Sequence, residues 1–161
     1  MKVSSSRPVS GVKASGFTLI ELLIVVAIVA ILASVSVGGY RQYVRRANRV
    51  DATSALLQVS AAQERFYLQN NRYATTADEL AAPPSAGLGI SGTQHGLYDL
   101  AVVAGPDGAA AGYTATATAS SEASQRDDED CRIFSIDQSG QRSAADAGGS
   151  KNAEVTARCW R

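Results

Sequence analysis

Few residues in this 161-residue chain have side chains and spacings suited to chemistry. Glu21 stands at the entrance of an apolar run. Arg41, Arg45, Arg46 and Arg49 follow that run, and an acidic stretch, Asp127 to Asp130, leads into Cys131. Cys159 and the single histidine, His95, complete the set. One histidine cannot build a His-based metal cluster, and in a Gly-rich segment it reads as a surface residue. The acidic stretch lacks the spaced oxygen ligands and turn glycine of an EF-hand, so it reads as a solvated loop and not as a calcium site. Neither cysteine has a paired base nearby, which excludes a thiol nucleophile. No catalytic constellation forms, so the chain reads as a non-enzyme with no cofactor.

The two cysteines have 27 residues between them, a spacing that fits no zinc or redox motif. In an exported domain, one disulfide closing that loop is the simplest reading, stabilising the fold by about 3 to 4 kcal/mol through the unfolded chain's lost freedom. The arginines could meet lipid headgroups, acidic groups of neighbouring chains, or DNA. The leading reading is a solvated face just outside a membrane, with Tyr40 and Tyr43 beside it as expected at such a boundary.

Those residues need elements to position them. Nineteen residues from Leu22 to Tyr40 carry no charge, which makes about 28 Å of helix, enough to cross a bilayer. Ala30, Ser34 and Gly38 recur every four residues along it, a small-residue stripe that lets helices approach closely. A secretory signal would end in a small-residue cleavage site after a shorter apolar region. Here the small residue, Gly16, comes before the apolar run, behind a basic and Ser-rich leader. The chain as a whole is neutral, with 15 basic and 15 acidic residues. Without the three basic residues of 1–16 the balance falls to twelve against fifteen, a net of −3, which argues against nucleic acid as a partner.

The stretch "GFTLIELLIVVAIVAIL" at residues 16 to 32 resembles the N-terminal signature of type IV pilins and of the related pseudopilins of type II secretion. The resemblance implies cleavage by a prepilin peptidase between Gly16 and Phe17, N-methylation of Phe17, and an assembly role for Glu21. "AQERFYLQNNRYATTADEL" at 62 to 80 is similar to the end of the long pilin helix, and "CRIFSIDQSGQRS" with the closing "CW" resembles the C-terminal disulfide region of minor pilins. Many pilins carry a proline where this chain has Gly38 and Gly39. Glycine costs a helix about 1 kcal/mol relative to alanine, so a weak point is kept by different chemistry.

Beyond the span, Val44, Ala47, Ala52, Ala55, Leu56, Val59, Ala62 and Phe66 continue at helical spacing. This predicts one helix from about Phe17 to about Gln69, stopped by Asn70 and Asn71. "TADE" at 76 to 79 fits a capping box closed by Pro83 and Pro84. Segments 97–104 and 113–120 read as a hairpin joined through "GPDG", and 131–136 as a strand turned by "DQSG" into a short fourth. Ser143 to Lys151 reads as a surface loop. The expected fold is α+β: a long N-terminal helix on a small antiparallel sheet, with a C-terminal disulfide loop.

The expected organisation is a leader (1–16), a transmembrane or filament-core helix (17–40), an amphipathic helix (41–70) and a head (71–161) whose disulfide region is 131–159. The expected function is a structural subunit of a type IV pilus, of minor-pilin type. Its alternatives are a type II secretion pseudopilin, which the Cys pair argues against, and a DNA-receptor pilin. The implied partners are other pilin subunits, the prepilin peptidase and methyltransferase, the inner-membrane assembly platform, and membrane lipid before assembly. The implied location is the inner membrane with a periplasmic head, then the extracellular pilus. After cleavage Glu21 would pair with the Phe17 amine of its own chain; in a filament a neighbour's Phe17 amine could serve instead, and that pairing would set the register between subunits.

Overall fold

A computed structural model describes residues 16–161, the side chains of 35–37 excepted; the remainder of the expected leader lies outside the described residues. Two compact units divide at Tyr40 and Arg41. Helix α1 runs Leu19–Asn70, close to the expected bounds. In the first unit the side chains of its apolar stretch, from Leu19 to Leu32, are all exposed, as an anchor segment would leave them.

The second unit holds the rest of the fold. One stripe of α1, Ala52, Leu56, Val59, Ala62 and Phe66, is buried in the core. Ala47, expected on that stripe, is exposed instead, because the contacting face drifts around the helix over several turns. Asn71 ends α1 with φ 52°, the left-handed conformation asparagine tolerates best after glycine. The chain then returns along the helix, held by Gln63: its fully buried amide donates to the Ala74 carbonyl at 2.7 Å and accepts from the Ala74 N–H at 2.9 Å. A short helix α2 (Ala77–Ala81) follows, with Thr76 accepting from the Glu79 N–H as its N-cap. The Glu79 carboxylate reaches back to the Thr75 N–H at 2.8 Å and to Arg72 at 2.6 Å.

Four antiparallel strands form one sheet in chain order: β1 (Tyr98–Ala104), β2 (Tyr113–Ala119), β3 (Ile133–Asp137) and β4 (Arg142–Ala145). Strand β2 alternates by face: Tyr113, Ala115, Ala117 and Ala119 are buried, while Thr114, Thr116 and Thr118 face away. The buried alanines take up little of the space between the sheet and α1, and Tyr98, Phe134 and Ile136 fill it. Phe134 meets Tyr98 edge-on at 5.6 Å and Trp160 at 5.9 Å.

Two elements differ from expectation. Residues 143–145 are strand and not loop, because Ala144 and Ala145 pair with Phe134 and Ile133 and are buried. The C-terminal tail forms a helix, α3 (Ala153–Cys159), capped by Asn152, whose carboxamide oxygen accepts from the Val155 N–H at 2.9 Å. The disulfide Cys131–Cys159 joins its last turn to the chain entering β3, and both cysteines are buried.

Candidate functional site

At the N-terminal motif, Gly16 and Phe17 precede α1 and are exposed. Glu21 lies in the first turn of the helix. Its N–H donates to Thr18 Oγ1 at 3.3 Å, and the Thr18 N–H donates to Glu21 Oε2 at 3.5 Å. This is a Thr-x-x-Glu capping box in the uncut chain. The same pattern that marks Thr76 and Glu79 marks Thr18 and Glu21, so the signal was there to be read.

The four arginines do not act as one solvated face. Arg41 and Arg46 are exposed, but Arg45 and Arg49 reach a loop that a 3-10 turn (Ser124–Asp127) leads into. Arg49 makes a bidentate pair with Asp128, Nε to Oδ2 at 2.7 Å and Nη2 to Oδ1 at 2.8 Å, and Nη2 also lies 3.4 Å from Asp130. Burial works against the charge on Arg49, but the hydrogen bonds and charges of Asp128 and Asp130 outweigh it and hold its pKa above the ordinary guanidinium value. Arg45 donates to the Asp127 carbonyl, and the fully buried Gln125 donates to the Arg45 carbonyl and to the Tyr98 hydroxyl. Burial pushes the Tyr98 hydroxyl up to about 12, with the Gln125 bond acting against that shift.

The acidic stretch is therefore not a solvated loop throughout. The side chain of Asp128 is only 3 % exposed, and its cation is a guanidinium. Among the described residues no group of His, Cys, Asp and Glu is arranged to hold a metal ion. Periodicity could not reveal this pairing, because the partners stand 79 residues apart.

A second buried acid, Asp51, organises the loop before β1. It accepts from the His95 and Leu97 N–H groups, and its Oδ1 lies 3.1 Å from His95 Nδ1. Burial pushes the Asp51 carboxyl up, but hydrogen bonds from Thr93, His95 and Leu97 overcome this and hold it below the usual range. His95 is exposed, as expected of a lone surface histidine, yet its backbone and ring secure that loop.

Along the outer face of α1, Tyr43, Val50 and Leu57 recur every seven residues and are exposed by 71, 60 and 46 %. Ala47, Ser54 and Ala61 alternate with them at the same period. Large and small side chains at 3–4 spacing are the pattern that knobs-into-holes packing of a second helix would require. Ala47, Val50 and Ser54 also line a groove that His95 and Leu97 border.

Two family profiles match. Residues 12–37 match the prokaryotic N-terminal methylation motif. Residues 39–135, well over half of the chain, match the family described as type IV minor pilin ComP, DNA uptake sequence receptor. The chain belongs to this type IV pilin family.

Among curated proteins, the pilin is 36 % identical over 87 residues to the type IV major pilin protein PilA of Myxococcus xanthus, covering 54 % of this chain and 38 % of that one. It is 34 % identical over 109 residues to the type IV wide pilus major component PilA4 of Thermus thermophilus, covering 64 and 82 %. A third relative is the type II secretion system core protein G of Pectobacterium carotovorum, 36 % identical over 73 residues, covering 45 and 47 %. The pilin thus spans less than half the length of the Myxococcus and Pectobacterium relatives. A solved type IV pilin from Shewanella oneidensis aligns with a TM-score of 0.41 at 23 % identity, covering 61 % of this chain and 89 % of that one.

Proposed function

We propose that this pilin is a structural subunit of a type IV pilus, of minor-pilin type, and a substrate of processing enzymes and not itself an enzyme. The observation that carries the reading is the order of features: a methylation motif directly precedes a minor-pilin match, on a helix whose apolar first part is exposed. The leader 1–16 is removed by prepilin peptidase between Gly16 and Phe17, and Phe17 is N-methylated. Before assembly the helix of 17–40 anchors the chain in the inner membrane with the head in the periplasm. The membrane platform then moves it into the extracellular filament, where its partners are other pilins.

In the filament, the exposed run 17–32 and the heptad face from Tyr43 to Leu57 are the packing surfaces, and Glu21 sets the register against a Phe17 amine. Mass spectrometry of sheared surface filaments tests this. The expected product begins at methylated Phe17 and retains the Cys131–Cys159 disulfide; absence of the chain from filaments would refute the reading.

A second reading, a DNA receptor, draws on the matched family's description, which names a DNA uptake sequence receptor. Exposed Arg41 and Arg46 offer phosphate contacts, while the net charge of −3 left after cleavage opposes general DNA affinity. A gel-shift titration at varied salt discriminates the two: sequence-selective binding that weakens with salt supports the receptor role.

A further inference from the structure

The outer face of the sheet, opposite the core, carries a polar pocket of about 200 Å³ lined by Thr114, Ser135, Asp137, Gln141, Ser143 and Lys151. Strand register brings these groups together. Thr114 pairs with Asp137, and Ser135 pairs with Ser143, so their side chains emerge on one face, and among the lining residues only Ile136 belongs to the core. Ser135 is only 7 % exposed, and its hydroxyl lies 2.7 Å from that of Ser143. One bond between two hydroxyls leaves donor and acceptor capacity on both. Asp137 Oδ1 accepts from the Ser139 N–H, the Ser139 hydroxyl and the Gln141 N–H, while Oδ2 has no partner among the described residues. Lys151 makes no ion pair among the described residues, so its ammonium is available at the rim.

From this pocket we infer a binding site for a neutral polyhydroxylated ligand, a single pyranose ring of a saccharide. The pocket holds one ammonium and one carboxylate, so an anion meets Asp137 and a cation meets Lys151, and either is repelled by a like charge. A hydrocarbon would strip water from six polar side chains without returning hydrogen bonds. A sugar ring instead offers hydroxyls that each donate and accept, which matches hydroxyls, carboxylate, amide and ammonium in turn. The volume lies below the roughly 300 to 1,000 Å³ of sites for larger ligands and accommodates about one ring. The pocket lies on the sheet face that α1 leaves uncovered, so packing through α1 keeps it open.

The test uses the full chain in a polyoxyethylene detergent, because glycoside detergents would compete for the site. Saturation-transfer NMR and titration are run with glucose, galactose, mannose and N-acetylglucosamine, and with glycine and inorganic phosphate as charged comparisons. At least one sugar is expected to bind in the millimolar range with little dependence on salt. Lys151→Ala and Ser143→Ala, both with the disulfide intact and the fluorescence of Trp160 unchanged, are each expected to weaken it, by up to about tenfold for the charged contact. The inference is overturned if no sugar binds, if neither variant changes binding, or if glycine or phosphate binds more tightly than every sugar.

Discussion

Arg49 and Asp128 form the tie that most directly holds the acidic loop to α1, and its strength can be worked from the geometry. The two side chains are 8 and 3 % exposed, so neither charge regains water if its partner is removed. In Arg49→Met the stem volume is kept, but Asp128 is left with the Asp130 N–H at 3.2 Å as its only remaining donor among the described residues. Breaking a buried pair in this way costs about 3 to 5 kcal/mol. Asp128→Asn should cost a similar amount, because the guanidinium loses its buried countercharge and one arm of the pair, keeping one bond to the amide oxygen and the longer contact to Asp130. The double variant should lose clearly less than the two single losses added together, with a coupling of about 2 kcal/mol or more.

The assay is urea unfolding of the full chain in detergent, followed by Trp160, the single tryptophan. Its indole N–H donates to the Ser143 carbonyl at 2.9 Å, close to the disulfide helix, so its emission reports the head. With a urea slope of about 1 to 3 kcal/mol per molar, a loss of 3 kcal/mol lowers the midpoint by about 1 to 3 M. If Arg49→Met cost under about 1 kcal/mol, or cost the same with and without the Asp128 charge, the loop would be held by packing and the disulfide, and the tie argued from the distances would be wrong.

Glu21→Ala should leave leader removal intact while sharply reducing the chain in sheared filaments; normal piliation would dismiss the register role. Cys159→Ser opens a loop of sequence separation 28 and should cost about 3 to 4 kcal/mol in the same urea assay. Asp51 has a depressed folded pKa, so its contribution is present above the unfolded value of about 4 and is lost as pH falls through the lower folded value. Urea midpoints measured from pH 6 down to pH 2 should fall in that acid range, and Asp51→Asn should flatten the fall. Leu57→Glu, on the exposed face of α1, should change head stability by no more than about 0.5 kcal/mol yet reduce incorporation into filaments; unchanged incorporation would remove the heptad face from the interface.

What could be read in the sequence followed from local rules. Apolar periodicity placed α1 to within two residues at its start and one at its end, Asn71 marked the stop, and alternating Thr and Ala in β2 marked a half-buried strand. The failures are non-local. No window contains both Arg49 and Asp128, so each looked like a solvated charge until the fold brought them to 2.7 Å. Asp51 carries no local signal of its role, because its donors lie more than forty residues away. Helix α3 was hidden by a Gly- and Ser-rich approach, although Asn152 before an Ala- and Glu-containing run is a recognisable start. The heptad of Tyr43, Val50 and Leu57 was legible, but a search for the buried stripe passes over a second stripe on the opposite face.

Glu21 shows how one side chain can serve two stages. In the uncut chain its carboxylate accepts one long hydrogen bond, 3.5 Å from the Thr18 N–H, in an exposed first turn. A cap of this kind is worth about 0.5 to 2 kcal/mol. Cleavage after Gly16 would convert the Phe17 amide into a charged amine within the same turn. At an effective dielectric of about 20 and a separation of 4 Å, that charge attracts the carboxylate by about 4 kcal/mol, more than the cap supplies. The cost of placing a carboxylate in an apolar core, about 2.5 to 3.5 kcal/mol, is then offset only where an amine is present. Under the proposed function, a precursor that keeps its leader has a satisfied helix end but no amine to accompany Glu21 into a filament core. Processing and register would thus be linked through the same carboxylate: the cap suits the membrane precursor, and the new amine makes burial of Glu21 affordable.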